Sequence, residues 1–189
     1  MSKEPSAWKL LNSTLVADCK VFKVNKERFA HPDGRVDDFY VTDCNDWVLA
    51  MALTKDNKVI LVNQHRFGTK SFSIEPAGGV VDNGENPIKA AERELLEETG
   101  YKGVCPILLA SVSPNPAIMN NKSHIVLIKD CVKISDVNFD KNEEISTKLY
   151  SLDELDDLIF SGKMHHSLAI NAVYLLQKHL RPTSSSKCL

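Results

Sequence analysis

The chain has 189 residues, 43% of them hydrophobic, which is enough for one well-filled core and argues against a second full domain. Charged residues make up 25% and the net charge is −2, which argues against a broad nucleic-acid footprint while leaving room for a local basic patch. The five cysteines (Cys19, Cys44, Cys105, Cys131 and Cys188) show no CxxC or Cys/His ligand spacing, so they read as reduced thiols of a cytoplasmic protein rather than a disulfide scaffold.

From the start, residues 1–13 are polar with one Trp and read as a tail or docking arm; they lack the apolar core of a signal peptide. Rough alternation of Val16, Val21, Phe22, Val24 and Phe29 predicts strands between Leu15 and Phe29. HPDG at 31–34 is a turn, and DFYVT reads as a return strand. WVLAMALT and KVILVNQHRF then flank Lys55, Asp56 and Asn57, a hairpin signal. FSIEPAGGVV is a short strand running into a Gly-rich loop.

NPIKAAERELLEETG is a helix by its punctuation: Asn86 suits the N-cap, Pro87 the first helical position and Gly100 the C-terminal cap. CPILLASV and SHIVLIKDCVKI read as strands joined by the loop SPNPAIMNNK. The acidic NFDKNEEIS reads as loop. Ser151–Ser161 and His165–Leu180 both have helical spacing, and RPTSSSKCL is a polar tail. No apolar run reaches membrane-spanning length. The element order predicts an α+β layered domain in which a mixed sheet is flanked by helices, with an antiparallel β region at the N-terminus.

The helix at 87–99 breaks two local rules. Glu94, Glu97 and Glu98 crowd its last turns, at the negative end of the helix dipole, and Glu94 and Glu98 form a like-charge i, i+4 pair. On a helical wheel, Ile88, Ala91, Leu95 and Thr99 make a buriable arc with the three glutamates on the adjacent one. A solvated acidic face is one explanation. The other is a hard divalent cation: Mg²⁺ takes one or two carboxylates, keeps several waters and completes its shell with substrate phosphates. The Gly-rich turn AGGVVDNGE just upstream favours the second, because glycine lets backbone carbonyls approach an ion closely.

From Gly78 to Tyr101 the sequence reads GGVVDNGENPIKAAERELLEETGY. Gly79, five residues, Glu85, seven residues, then Arg93, Glu94, Leu95, Glu97, Glu98 and Gly100 make it resemble the signature of the Nudix hydrolases, with Tyr101 where that pattern prefers an aliphatic residue. The resemblance implies an α/β/α layered Nudix fold and a pyrophosphatase that cleaves a nucleoside diphosphate linked to another group. It implies Glu94, Glu97 and Glu98 as metal ligands, the Gly78 carbonyl as one more, and Mg²⁺ as cofactor with Mn²⁺ as a substitute. Glu97, Glu98 and Arg93 are then candidate catalytic residues. Gly79, Glu85 and Gly100 shape the motif, and Glu85 with Arg93 holds the loop on the helix.

VILVNQHRF followed by SIEPAGG is similar to the ADP-ribose and nucleoside-diphosphate-sugar pyrophosphatase branch of that family. This implies Arg66 as a diphosphate ligand, gripped in bidentate fashion, with Glu75 orienting it or assisting metal binding. It implies Glu143, with Glu144 close behind, as general base or extra ligand. It also implies Asn115 and Asn120 as substrate contacts and Trp47 as a base-stacking candidate; the alternatives are turn chemistry for the asparagines and a core position for the Trp. The six histidines lack ligand spacing and read as structural or exposed.

The expected organisation is residues 1–45 as an arm and β region for homodimerisation, 46–181 as the hydrolase domain and 182–189 as tail. The expected substrate is a small nucleoside diphosphate sugar, with no nucleic-acid or membrane partner. Other Nudix substrates (dinucleoside polyphosphates, coenzyme A, NADH, oxidised nucleotides) and a non-catalytic Nudix ligand sensor are the alternatives; the complete glutamate set weighs against the sensor.

Overall fold

The computed structural model describes residues 4–137 and 144–181, which fall into two compact units. The first, residues up to Asn45 together with Ser113–Lys122, is built on a three-stranded antiparallel sheet of β1 (Lys9–Asp18), β2 (Lys23–Ala30) and β3 (Val36–Asp43). Residues 9–13, expected as arm, are thus the first half of a strand, because Lys9 to Ser13 find hydrogen-bonding partners in Ala30 to Glu27. The 113–122 loop is tied to β3: the Thr42 amide donates to the Ile118 carbonyl at 2.7 Å, and the Asn120 amide to the Thr42 carbonyl at 3.2 Å. Trp8 packs edge-on against Phe39 and tilted against His31. This small sheet leaves Leu10, Leu11, Leu15 and Val16 exposed along β1.

The second unit holds a six-stranded mixed sheet in the order β6-β5-β4-β8-β7, with β9 paired to β5. Its strands are β4 (Trp47–Thr54), β5 (Val59–Arg66), β6 (Ser71–Glu75), β7 (Tyr101–Val112), β8 (Ser123–Lys133) and β9 (Ile145–Tyr150). β4 and β8 run parallel and the other pairs antiparallel. WVLAMALT is buried almost throughout because it is central and covered on both faces. Leu49, Met51 and Leu53 point into one core with α2 (Glu154–Phe160) and α3 (Ser167–Leu180). Val48, Ala50 and Ala52 point into the other with α1 (Pro87–Thr99). The mixed sheet flanked by helices that the element order predicts, and the α/β/α layering that the family resemblance implies, are both present.

β9 went unread in the sequence: Ile145 and Ser146, assigned to an acidic loop, open a strand that pairs Val59–Gln64 of β5. The second difference is where the sheet splays. β4 and β5 pair only at Ala52–Ile60 and Leu53–Val59. Beyond that point β5 turns to β6, and the glycine-rich chain takes up the edge of β4. There the Val48 amide donates to the Gly79 carbonyl at 2.9 Å and the Ala50 amide to the Ala77 carbonyl at 2.8 Å. This split positions the site.

Candidate functional site

α1 forms as its punctuation dictates. The Asn86 side chain accepts from the Ile88 amide at 2.9 Å, Pro87 occupies the first turn, and Gly100 ends the helix in the left-handed region at φ 74°. Ala90, Ala91, Leu95 and Thr99 are buried, anchoring the helix on β4, β7 and β8. Anchoring that arc fixes where the adjacent acidic arc lies.

The three glutamates of that arc are in different environments. Glu98 is only 3% exposed, and its Oε2 accepts from the Gly78 amide at 3.0 Å. Glu94 lies against Gly79, where an added Cβ would stand 2.4 Å from its Oε1. Glu97 reaches outward, with 44% of its side chain exposed. The Arg93 guanidinium contacts both of these, at 2.8 Å from Glu94 and 3.3 Å from Glu97. Its other edge grips Glu85 at 2.9 and 3.1 Å and the Val80 carbonyl at 3.1 Å, tying the loop to the helix. The Glu85 hydrogen bonds, above all, raise the Arg93 pKa above its ordinary value, and Arg93 in turn holds the Glu85 carboxyl below its own. Among the described residues no three acidic, histidine or cysteine side chains converge as a ready-made metal cage.

The donor set still suits a hard cation. All its members offer oxygen, the chemistry Mg²⁺ prefers. The chain at 77–81 bonds to β4 through Ala77 and Gly79. By strand alternation Gly78 therefore directs both its amide and its carbonyl to the other side, where Glu98 receives the amide. A side chain at Gly78 would collide with the Val48 carbonyl at 2.1 Å, so only glycine fits this close approach. Glu94, Glu97, Glu98 and the Gly78 carbonyl are the groups that would hold an ion.

The β5–β6 hairpin supplies a second cluster. Val62 belongs to the α1-side core, so alternation puts Gln64 and Arg66 on the same face, and the pairing puts Ser73 and Glu75 there too. Arg66 grips Glu75 through Nε at 3.1 Å and Nη2 at 2.5 Å. Glu75 is 0% exposed, yet burial, which pushes its pKa up, is outweighed by hydrogen bonds from His166 and Arg66 that bring it down to about 2. His166 Nδ1 lies 2.9 Å from Glu75 Oε2. Between them, the Gln64 Nε2 and Ser73 Oγ atoms are buried without a hydrogen-bond partner among the described residues.

The remaining sequence candidates are Trp47, Asn115, Asn120, Glu143 and Glu144. Trp47 is half-buried against the core that faces α2 and α3. Asn115 and Asn120 belong to the first unit, where the Asn120 Nδ2 donates to Asp43 at 2.7 Å and the Asn115 carbonyl accepts from the Met119 amide at 2.8 Å. Glu144 is exposed immediately before β9, and Glu143 lies outside the described residues. Sequence reasoning missed Gln64, Ser73 and His166. For the first two the signal was their place in the period-2 row with Arg66 and Glu75; for His166 no local signal exists, since its partner is 91 residues away.

The chain is 26% identical to the ADP compounds hydrolase NudE of Escherichia coli (strain K12) over 183 residues, covering 96% of this chain and 97% of that protein. It is 26% identical to the methanol dehydrogenase activator of Bacillus methanolicus over 170 residues, covering 89% and 92%. A crystal structure of an ADP compounds hydrolase superposes with a TM-score of 0.84 at 25% identity, covering 95% of this chain and 97% of that one. With the NUDIX domain profile matching residues 46–169, the chain belongs to the Nudix family of hydrolases.

Proposed function

We propose that this hydrolase cleaves the diphosphate of ADP-ribose or a related nucleoside diphosphate sugar in the presence of Mg²⁺, releasing a nucleoside monophosphate and a sugar phosphate. The observation that carries the reading is the near-buried Glu98 facing Gly78 at the split between β4 and β5, on the sheet face that also bears Arg66. The names of the E. coli relative and of the superposed structure, both hydrolases of ADP compounds, support an ADP-linked substrate.

In this reading Glu94, Glu97, Glu98 and the Gly78 carbonyl hold the ion, which when bound neutralises phosphate charge and acidifies water. Arg66 takes diphosphate oxygens and lowers the cost of bringing their charge beside the carboxylates. A water oxygen bonds to one phosphorus as the bridging P–O bond breaks, and the departing phosphate takes the bridging oxygen. The proton released by the water goes to a carboxylate, Glu143 or Glu144 before β9 or a motif glutamate. Arg93 and Glu85 keep the loop and helix in register throughout.

The first unit serves assembly and the second catalysis. The exposed apolar side chains of β1 support a homodimer, because a thin sheet that shows Leu10, Leu11, Leu15 and Val16 gains from a second copy. Cys19, Cys105 and Cys131, free of disulfides among the described residues, support a cytoplasmic location. The test is product analysis with ADP-ribose, GDP-mannose and UDP-glucose, with and without Mg²⁺. Turnover of at least one, abolished by chelation, is expected; no turnover of any removes the reading.

A further inference from the structure

We infer that His166 is a positioning residue for substrate binding: through the buried carboxylate of Glu75 it fixes the Arg66 guanidinium that receives the diphosphate. This rests on the reading of Arg66 as a diphosphate ligand.

The geometry is specific. Glu75 is wholly buried, while Arg66 and His166 keep 39% and 31% of their side chains exposed. Substrate therefore meets the guanidinium and the imidazole and never the carboxylate that joins them. Glu75 Oε2 is shared: it accepts from Arg66 Nη2 at 2.5 Å and lies 2.9 Å from His166 Nδ1. An ionised carboxylate only accepts, so Nδ1 carries a hydrogen and donates it. Arg66 brings a full opposite charge to Glu75. The histidine adds direction: it prevents the carboxylate from rotating about its last bond and carrying the guanidinium with it.

His166 is itself held from both sides. The chain before α3 runs along the edge of β6, where the Ile74 amide donates to the Lys163 carbonyl at 2.9 Å and His165 Nε2 lies 3.2 Å from the Phe72 carbonyl. Met164 between them is fully buried. On the other side, the His166 carbonyl accepts the Ile170 amide at 3.1 Å as α3 begins. The imidazole thus stands on a fixed post, whereas Arg66 is the last residue of its strand. Register adds a further constraint. Arg66 pairs with Ser71 and Glu75 with Val62, so to meet, the two side chains must lean toward each other across the Gln64–Ser73 pair. That is an extended conformation which a free arginine would hold only part of the time.

The experiment measures kcat and KM of the intact protein on whichever nucleoside diphosphate sugar it turns over, for Arg66→Ala, His166→Ala and His166→Asn. An Asn amide places a donor near the position of Nδ1. The expected result is a KM raised about tenfold in His166→Ala with kcat within a few-fold of wild type, and KM restored toward wild type in His166→Asn. Adding His166→Ala to Arg66→Ala should raise KM no further. A merely structural histidine predicts a lower melting temperature with KM unchanged, and that result overturns the proposal. If Arg66→Ala itself leaves KM unchanged, the diphosphate reading of Arg66 fails and His166 loses its role with it. If only Arg66→Ala moves KM, the reading of Arg66 stands and the His166 proposal alone falls. Should His166→Ala prove too unstable to assay, His166→Leu, which fills the space without a donor, replaces it in the same comparison.

Discussion

The two walls of the site have opposite charge economies. Along α1 and the loop before it, Arg93 pairs with three carboxylates (Glu85, Glu94 and Glu97), and a fourth, Glu98, accepts from the Gly78 amide. On the β5–β6 hairpin, one carboxylate, Glu75, is shared by Arg66 and His166. The first wall carries surplus negative charge and calls for a cation; the second presents a guanidinium over a buried anion and calls for an oxyanion. The walls also differ in where the central partner lies. Arg93 sits among its carboxylates as a partly exposed brace, whereas Glu75 is buried beneath Arg66 and His166. In the proposed reading, a diphosphate accompanied by a divalent ion satisfies both walls together, and neither a bare cation nor a bare anion does.

The comparison breaks most sharply at Glu98, the deepest carboxylate of the acidic wall. Glu98→Gln keeps the size and the acceptor oxygen that the Gly78 amide needs, but removes the charge. The expected loss in kcat is about 10²–10³-fold, the scale of removing one preorganised electrostatic group. The melting temperature should stay level or rise, because a like-charge pair with Glu94 is relieved. Steady-state kinetics beside a thermal melt reads both, and full activity in this variant would remove Glu98 from the site.

The hairpin wall breaks through acid. Glu75 titrates at about 2 rather than near its ordinary value of 4.5, held down by His166 and Arg66 against the cost of burial. A carboxylate whose pKa is depressed by folding contributes stability that is fully present above about 4.5 and lost as pH falls through about 2. The interval corresponds to roughly 3 kcal/mol. Glu75→Gln should therefore be less stable than wild type at neutral pH, and the gap should close between pH 4.5 and 2 in denaturant titrations. A gap that stays constant through that window would mean that the buried carboxylate is not carrying the charge assigned to it.

The two walls also differed in how far the sequence revealed them. α1 was legible to its last residue because its signals are local: a cap at Asn86, Pro87 in the first turn, Gly100 at the end, and glutamates whose spacing names their face. Arg66 and Glu75 were legible as a pair, since both fall in one strand–loop–strand stretch. His166 was not, because the contact that gives it meaning spans 91 residues and passes around the edge of β6. β9 escaped for a related reason: Ile145–Tyr150 follows an acidic run, mixes polar and apolar residues, and becomes a strand through pairing with β5. The splay between β4 and β5 escaped as well, since the hairpin WVLAMALT–KVILVNQHRF carries no mark showing that only its first pairs survive. Local punctuation is written in the residues that form it, whereas the second wall is an outcome of tertiary pairing.

The finest separation between site and scaffold lies in two adjacent glycines at the junction of the walls. A Cβ at Gly78 would meet the Val48 carbonyl, a backbone atom of the central strand, at 2.1 Å. A Cβ at Gly79 would first meet the carboxylate end of Glu94, at 2.4 Å, and that end can swing aside. Gly78→Ala must shift main chain in the core and should cost about 1–3 kcal/mol of stability along with activity. Gly79→Ala should melt close to wild type yet turn over several-fold more slowly, because Glu94 leaves the position from which it would serve the ion. The effect is modest because Glu98 and Gly78 remain in place. Equal losses of stability in the two variants would show that Glu94 is as rigid as the strand, and that the acidic wall is scaffold before it is site.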